Sequence, residues 1–122
     1  MSSSSVAMFL LFILLSCFNY QAQAVSTTLK PLETFCYNET YLGNQNNFEL
    51  RFRWRIDEPA HGDRVVTVLK DPEGKVLIDL EATHGDYADR LHEDGDYEFC
   101  FTSTVNKKMV IFWYVFLLHI FP

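Results

Sequence analysis

Residues 48–56 read FELRFRWRI, a strict alternation of large apolar and charged side chains. A period of two places every apolar group on one face of a β-strand and every charge on the other, whereas a helix would scatter both sets around its circumference. The segment therefore predicts a strand with Trp54 facing a core. On the opposite face, Arg51, Arg53 and Arg55 indicate a solvated sheet surface, with a ligand site for acidic groups as the alternative.

The segments that follow repeat the strand signal at short intervals. The clearest turn between them is Asp71-Pro72-Glu73-Gly74, in which proline presets φ and glycine closes the turn. The β-branched run 65–69 is typical of a strand buried on both sides, and 83–86 is predicted as a loop. Strands are predicted at 65–69, 76–80, 87–91 and 97–101. Short strands at this spacing predict an all-β sandwich of antiparallel strands.

Residues 25–47 are rich in Ser, Thr, Asn and Gln and carry few apolar positions. They predict one short strand followed by a loop. Within that loop, Asn38-Glu39-Thr40 is an N-glycosylation sequon. Glycosylation of Asn38 is therefore predicted, unless early disulfide formation at the neighbouring Cys36 hides the sequon.

The first 24 residues have the organisation of a secretory signal peptide. A Ser-rich start leads into the apolar run 6–15, and Ala22-Gln23-Ala24 is a small-x-small cleavage site. The mature chain would begin at Val25 and have the length of one domain with one core. The alternative, a retained membrane anchor, is disfavoured because the apolar run is too short to cross about 30 Å of hydrocarbon as a helix.

Of the three cysteines, Cys17 lies in the predicted signal peptide. Removal of the signal peptide leaves Cys36 and Cys100. In an oxidising lumen these two cysteines predict one structural disulfide, which would close the loop between residues 36 and 100. Chain-entropy estimates give a closed loop of this length about 4 kcal/mol of stabilisation. A zinc site would need further ligands at suitable spacing, and neither cysteine has a nearby Cys or His.

The chain changes character after Lys107-Lys108, since 109–122 is apolar apart from His119 and one tyrosine hydroxyl. A helix over this segment would be about 21 Å long, short of the hydrocarbon thickness. Its β-branched and aromatic start favours Met109–Tyr114 as a closing strand. The alternatives are membrane association through Met109–Phe121, and disorder or aggregation of the tail.

Composition and motifs argue against nucleic-acid binding and against catalysis. The formal net charge is −6 and the cationic residues are mixed with acids, so no basic face for phosphates is indicated. No Gly-rich phosphate loop, nucleophile elbow or paired nucleophile and base is recognisable. The richest stretch of potential metal ligands comprises His84, Asp86, Asp89, His92, Glu93, Asp94 and Asp96. It lacks EF-hand spacing, so calcium binding is a minor alternative, and no metal, cofactor or enzymatic activity is expected.

Three stretches of the sequence together match a family pattern. Residues 33–39 read ETFCYNE, residues 66–77 read VTVLKDPEGKVL, and residues 95–101 read GDYEFCF. In this combination, over residues 29–112, the chain resembles the GOLD domain of the TMED-type transmembrane cargo adaptors of the early secretory pathway. The three stretches resemble that domain's opening segment, its central hairpin and its Gly-x-Tyr-x-Phe-Cys-Phe strand.

The resemblance implies a lumenal GOLD-type β-sandwich over residues 25–113, with Cys36 paired to Cys100. It further implies an apolar tail, 114–122, that departs from the family pattern. The implied function is recognition of cargo proteins or sister adaptors in vesicular transport between endoplasmic reticulum (ER) and Golgi. Family members continue into a coiled coil, one membrane span and a coat-binding cytosolic tail. None of these is in the sequence, so a truncated form is expected, located in the ER, the intermediate compartment or the Golgi, and secreted if the tail does not anchor it.

Two other functions compete with this interpretation. A secreted lipid- or glycan-binding sandwich would need an apolar or aromatic-lined cavity between its sheets. A small secreted enzyme has no supporting constellation, and His84 and His92 are the residues whose mutation would test it. Lys107-Lys108 is not interpreted as a coat signal, because that signal acts at a cytosolic C-terminus.

Overall fold

The computed structural model describes residues 24–42 and 47–120, which form eight β-strands joined by loops and no helix. The strands are β1 (Val25–Leu29), β2 (Thr34–Tyr41), β3 (Phe48–Ile56), β4 (Val65–Lys70), β5 (Val76–Ala82), β6 (His84–Arg90), β7 (Gly95–Ser103) and β8 (Met109–His119). The predicted all-β class is confirmed. The predicted signal peptide, residues 1–24, lies outside the described residues apart from Ala24.

The strands form two four-stranded antiparallel sheets packed face to face. The first sheet has the order β1-β8-β3-β6 and the second has the order β2-β7-β4-β5. Their inner faces supply the buried apolar core: Leu29, Tyr41, Leu50, Phe52, Trp54, Ile56, Val65, Leu69, Leu91, Tyr97, Phe99, Phe101, Met109, Ile111 and Trp113. This arrangement is the β-sandwich that the strand pattern predicted.

Strand β3 has the two faces that its alternation predicts. Trp54 is 2 % exposed, whereas Arg53 and Arg55 on the other face are exposed. In the core, the Phe52 ring stacks on Trp54 with centroids 4.8 Å apart, and it meets Phe99 of the second sheet edge-on at the same centroid distance. Both sheets are therefore joined through the aromatic side chains of β3.

Gly85 of β6 leaves the space that the Trp54 ring occupies. The two residues are register partners, and a Cβ atom on Gly85 would lie 2.0 Å from Cζ2 of the indole. The predicted loop at 83–86 is wrong, because β6 begins at His84 and uses this glycine as a strand residue. The pattern missed it because glycine is usually a strand breaker, and it is tolerated here by the large ring opposite.

The segment 25–47 contains two strands, so the prediction of one strand and a loop is wrong. Strand β1 pairs with β8 and strand β2 pairs with β7. Along β2, exposed and half-buried residues alternate. Its outward positions are small polar residues and a cysteine rather than charges, so the period of two was not visible in the sequence.

Strand β4 differs in burial from its prediction. Val65, Thr67 and Leu69 are buried, whereas Val66 and Val68 are only half-buried. The prediction that β4 is buried on both sides is wrong, because each strand of a two-layered sandwich has only one inner face.

The turn between β4 and β5 forms as predicted. The Asp71 carboxylate accepts hydrogen bonds from the backbone N–H groups of Glu73 and Lys75, at 2.9 and 2.8 Å. Gly74 has a φ of 84°, in the left-handed region that glycine enters without steric cost. The sequence pattern Asp-Pro-x-Gly therefore fixes the hairpin by local chemistry.

Strand β8 lies between β1 and β3 in the first sheet. The predicted closing strand over Met109–Tyr114 is confirmed, and it continues through His119 without a break at residue 114. The indole N–H of Trp113 donates to Thr27 Oγ1 at 3.0 Å, which ties β8 to β1. Among the described residues, no helix is long and apolar enough to span a membrane.

Candidate functional site

The outer face of the first sheet carries a row of arginines beside a row of aromatic rings. Three register pairs join β3 to β8 across this face: Arg55 with Phe112, Arg53 with Tyr114, and Arg51 with Phe116. Because paired residues of antiparallel strands point to the same side, every arginine has an aromatic neighbour. We call this surface the arginine–aromatic groove.

A cavity of about 480 Å³ lies in this groove. Its lining includes Arg53, Arg55, Phe112, Tyr114 and the strand β6 residues His84 to Asp86. Phe112 and Tyr114 are only partly buried, so their rings are accessible from solvent. The groove thus combines accessible aromatic rings with arginines, and both kinds of side chain are enriched at protein–protein interfaces.

Two arginines of the groove, Arg53 and Arg55, are held in place by ion pairs and by a contact with an aromatic ring. Arg53 Nη2 lies 2.8 Å from Asp86 Oδ2, and this hydrogen bond is the main reason that the pKa of Arg53 is raised. The Arg55 guanidinium lies 4.8 Å from the centroid of the Phe112 ring, a cation–π contact, and 3.8 Å from a carboxylate oxygen of Asp57. The arginines are therefore held along the sheet while their guanidinium groups stay open to solvent.

The outer face of the second sheet has a different chemistry. Cys36 of β2 and Cys100 of β7 are direct register partners with Cα atoms 4.1 Å apart, and they form a disulfide. Cys36 is exposed and Cys100 is half-buried, so the disulfide lies on the solvent side of the sheet. On the same face, the hydroxyls of Thr34 and Thr102 are 2.8 Å apart.

The sequon residue Asn38 lies within β2, opposite Glu98, and not in a loop as predicted. Its side chain is exposed on the same outer face as the disulfide. An exposed side chain on an edge strand is accessible to modification, and glycosylation of Asn38 stays a prediction.

The acidic stretch 84–96 is distributed over three parts of the fold. His84 and Asp86 face the groove, Asp89 of β6 lines a separate polar cavity, and Asp96 forms a hydrogen bond with Thr40 on the second sheet. One group of potential metal ligands lies close together among the described residues: Cys36, Glu98 and Cys100. Both thiols of that group are consumed by the disulfide.

Glu93, in the loop between β6 and β7, faces two acids of the β4–β5 turn. Burial raises its pKa, and the nearby carboxylates of Glu73 and Asp71 raise it further. Asp71, Glu73 and Glu93 contribute to the lining of a polar cavity of about 270 Å³. The cluster concentrates negative charge at the end of the sandwich where this loop meets the turn.

Lys107 has a structural partner. Its Nζ lies 2.6 Å from Oδ2 of Asp63, whose side chain is 7 % exposed. The hydrogen bond from Lys107 and a second from the Ala60 backbone N–H lower the pKa of Asp63. This ion pair joins the loop before β4 to the loop before β8.

Sequence reasoning found the arginines of the groove and missed its aromatic half. Phe112, Tyr114 and Phe116 lie about 60 residues further along the chain, and only the β3–β8 register brings them beside the arginines. The alternation of β8 was the available signal. It was obscured because both faces of that strand carry large apolar side chains.

The comparison with known proteins identifies a family for this fold. The profile described as emp24/gp25L/p24 family/GOLD matches residues 24–117. The match includes the disulfide, the sequon and the groove. No curated protein matches the chain.

Proposed function

The chain belongs to the emp24/gp25L/p24 family of GOLD-domain proteins, and from this membership we propose that its β-sandwich recognises cargo proteins or sister adaptors through the arginine–aromatic groove. The family supplies cargo receptors for vesicular transport between ER and Golgi, and its members are located in the early secretory pathway. It is a family of transport adaptors and not of enzymes. The proposal assigns the lumenal recognition step of that transport to this domain.

The observation that carries the proposal is the cavity of about 480 Å³ on the outer face of the first sheet. Its aromatic rings supply apolar contact area, and Arg53 and Arg55 supply donors for carboxylates. Aromatic residues and arginine are the side chains most enriched at the energetic centres of protein interfaces. We infer that the partner presents an acidic side chain beside an apolar one.

The position of this cavity also bears on the lipid- or glycan-binding alternative. That alternative calls for a cavity between the sheets. Between the sheets, however, the Phe52 ring of the first sheet contacts Phe99 and Phe101 of the second, at centroid distances of 4.8 and 5.9 Å. Aromatic rings therefore fill the space between the sheets around Phe52. Recognition on the outer face is therefore the function that the geometry supports best.

The experiment compares groove variants with a matched surface variant in cells depleted of the endogenous protein. Pulse–chase labelling measures the rate at which secretory proteins leave the ER when cells express the natural chain, Arg55→Glu with Tyr114→Ala, or Arg64→Ala. Arg64 is exposed and lies before β4, away from the groove. We expect the groove variant to fail to restore transport of a subset of proteins, whereas Arg64→Ala restores it.

Equal restoration by the groove variant and by Arg64→Ala would contradict the assignment of recognition to the groove. Thermal unfolding of both purified variants is the folding control. Because both groove positions face outward, their midpoints should lie close to that of the natural protein.

A further inference from the structure

The Cys36–Cys100 disulfide lies on the outer face of the second sheet and not in the core. Cys36 is exposed and Cys100 is half-buried, whereas their neighbours along β7, Phe99 and Phe101, are fully buried. Exchange between a thiol and a disulfide requires that the attacking thiolate can reach one of the sulfur atoms. The exposed position of Cys36 therefore allows the bond to be reduced in the folded protein.

The contact between β2 and β7 has other sources of stability besides the disulfide. The two strands are register partners along the whole of β2, from Thr34 to Tyr41. On the inner face, the Tyr37 ring packs against Phe99 and Trp113, at centroid distances of 6.3 and 5.0 Å. Because the backbone ladder and these rings also hold β2, we expect the two cysteines to stay side by side after reduction.

A carboxylate adds a third donor atom at this position. Glu98 lies two residues before Cys100 on β7, so both side chains point to the outer face. A carboxylate oxygen of Glu98 and the two sulfur atoms all lie within 4.8 Å of one another. Two sulfur ligands of a tetrahedral zinc ion are about 3.8 Å apart when each Zn–S bond is about 2.3 Å long. Small side-chain movements after the disulfide opens therefore suffice to place the three atoms around one zinc ion.

We propose that Cys36, Glu98 and Cys100 form a redox-controlled zinc site, which the disulfide closes and which reduction by a protein dithiol opens. In the reduced form, zinc takes the two thiolates and the carboxylate as ligands, with water in the fourth position. The metal then joins β2 to β7 where the disulfide joined them. The inference goes beyond the proposed recognition function and does not rest on it, because the site and the groove are on different sheets.

The redox step is a thiol–disulfide exchange. A thiolate of the reductant attacks Sγ of the exposed Cys36, the bond between the two cysteines breaks, and Cys100 leaves as a thiolate. The second thiol of the reductant then attacks the mixed disulfide and releases the Cys36 thiolate. Two electrons pass to the cysteines, and the reductant ends as a disulfide. The two protons that the reductant loses go to solvent when zinc binds both thiolates.

The first experiment measures zinc binding in both redox states. The purified full chain carries Cys17→Ser, which leaves Cys36 and Cys100 as its only cysteines. It is reduced with dithiothreitol in the absence of denaturant, and the reagent is removed by gel filtration under nitrogen. Competition with a chromophoric zinc chelator should show one zinc ion bound per reduced chain and none per oxidised chain. Cobalt(II) in place of zinc should give the charge-transfer absorption of metal-bound thiolates.

Two variants test whether Glu98 is a ligand. Glu98→Gln removes the carboxylate from the site and keeps both cysteines. Glu81→Gln removes the same charge from an exposed position of β5, in the same sheet. We expect the zinc affinity of the reduced chain to fall by about tenfold or more in Glu98→Gln and to stay unchanged in Glu81→Gln. Far-UV circular dichroism checks that both variants are folded.

Thermal unfolding tests whether the metal replaces the disulfide as a cross-link. Zinc should raise the unfolding midpoint of the reduced chain, because the ion binds the folded site, and it should leave the midpoint of the oxidised chain unchanged. Near-UV circular dichroism reports whether the aromatic core stays packed in the reduced chain.

Four results would overturn the proposal. They are a disulfide that dithiothreitol reduces only in denaturant, loss of the near-UV spectrum on reduction that zinc does not restore, zinc binding that is absent or equal in the two redox states, and an unchanged zinc affinity in Glu98→Gln. None of these results bears on the transport experiment with the groove variants, so the two proposals fail separately.

Discussion

The two sheets share one core, and their outer faces differ in chemistry. On the first sheet, arginines and aromatic rings leave an open cavity of about 480 Å³. On the second, small polar side chains surround a disulfide that joins β2 directly to β7. Hydrogen-bonded ladders join the strands of both sheets, and the second sheet has in addition a covalent bond between two neighbouring strands. The difference places the proposed recognition surface and the disulfide on opposite sides of the sandwich.

The largest expected effect is on the packing of the first sheet. Trp54→Ala removes a ring that is 2 % exposed and stacked on Phe52, so the free energy of unfolding should fall by about 3–5 kcal/mol. Urea unfolding of the purified chain with the disulfide intact measures this loss.

Trp54→Phe is the matched control for that loss. The indole N–H of Trp54 has no hydrogen-bond partner among the described residues, so its replacement by phenylalanine removes an unsatisfied donor and keeps an aromatic ring. The loss should be less than half of that in Trp54→Ala. Equal losses in both variants would mean that the space opposite Gly85 requires the indole itself.

A smaller loss is expected on the second sheet. Cys36→Ser opens the bond that closes a sequence separation of 64 residues, and should lower the free energy of unfolding by about 2–4 kcal/mol. Cys100→Ser should give the same loss, because either variant removes the same bond. Thermal unfolding of both variants and of the double variant measures it. Unchanged midpoints in all three would refute a stabilising role, and the contrast between the two sheets would then disappear.

The sequence predicted the parts of this contrast that depend on local pattern. The alternation in 48–56 predicted the buried and exposed faces of β3. The sequence Asp71-Pro72-Glu73-Gly74 predicted the turn between β4 and β5, because the backbone geometry of a turn is set within a few residues. The pairing of Cys36 with Cys100 followed from the cysteine count and the expected compartment.

The parts that the sequence did not predict depend on contacts between distant strands. The first half of β6 was missed because Gly85 is acceptable in a strand only opposite the Trp54 ring. The aromatic half of the groove was missed for a related reason. It follows from the pairing of β8 with β3, and hydrophobic periodicity carries no information about strand order.

The smallest expected effect lies where the loop between the sheets meets the β4–β5 turn. Burial and the carboxylates of Glu73 and Asp71 raise the pKa of Glu93 above its ordinary 4.5. A carboxyl with a raised pKa in the folded state binds its proton more tightly there than in the unfolded chain, so its ionisation lowers stability as the pH rises through that range. At pH 7, Glu93→Gln should therefore raise the unfolding midpoint.

At pH 3.5 the natural residue is protonated in both states, so Glu93→Gln should leave the midpoint unchanged. Glu81→Gln, at an exposed position of β5, is the matched control for the loss of one negative charge. If both variants raise the midpoint equally at pH 7, the gain comes from the reduced net charge of the chain, which is −6. If only Glu93→Gln raises the unfolding midpoint, and only at neutral pH, the destabilising repulsion lies between Glu93 and the carboxylates of the β4–β5 turn. This contact lies at one end of the sandwich and belongs to neither outer face.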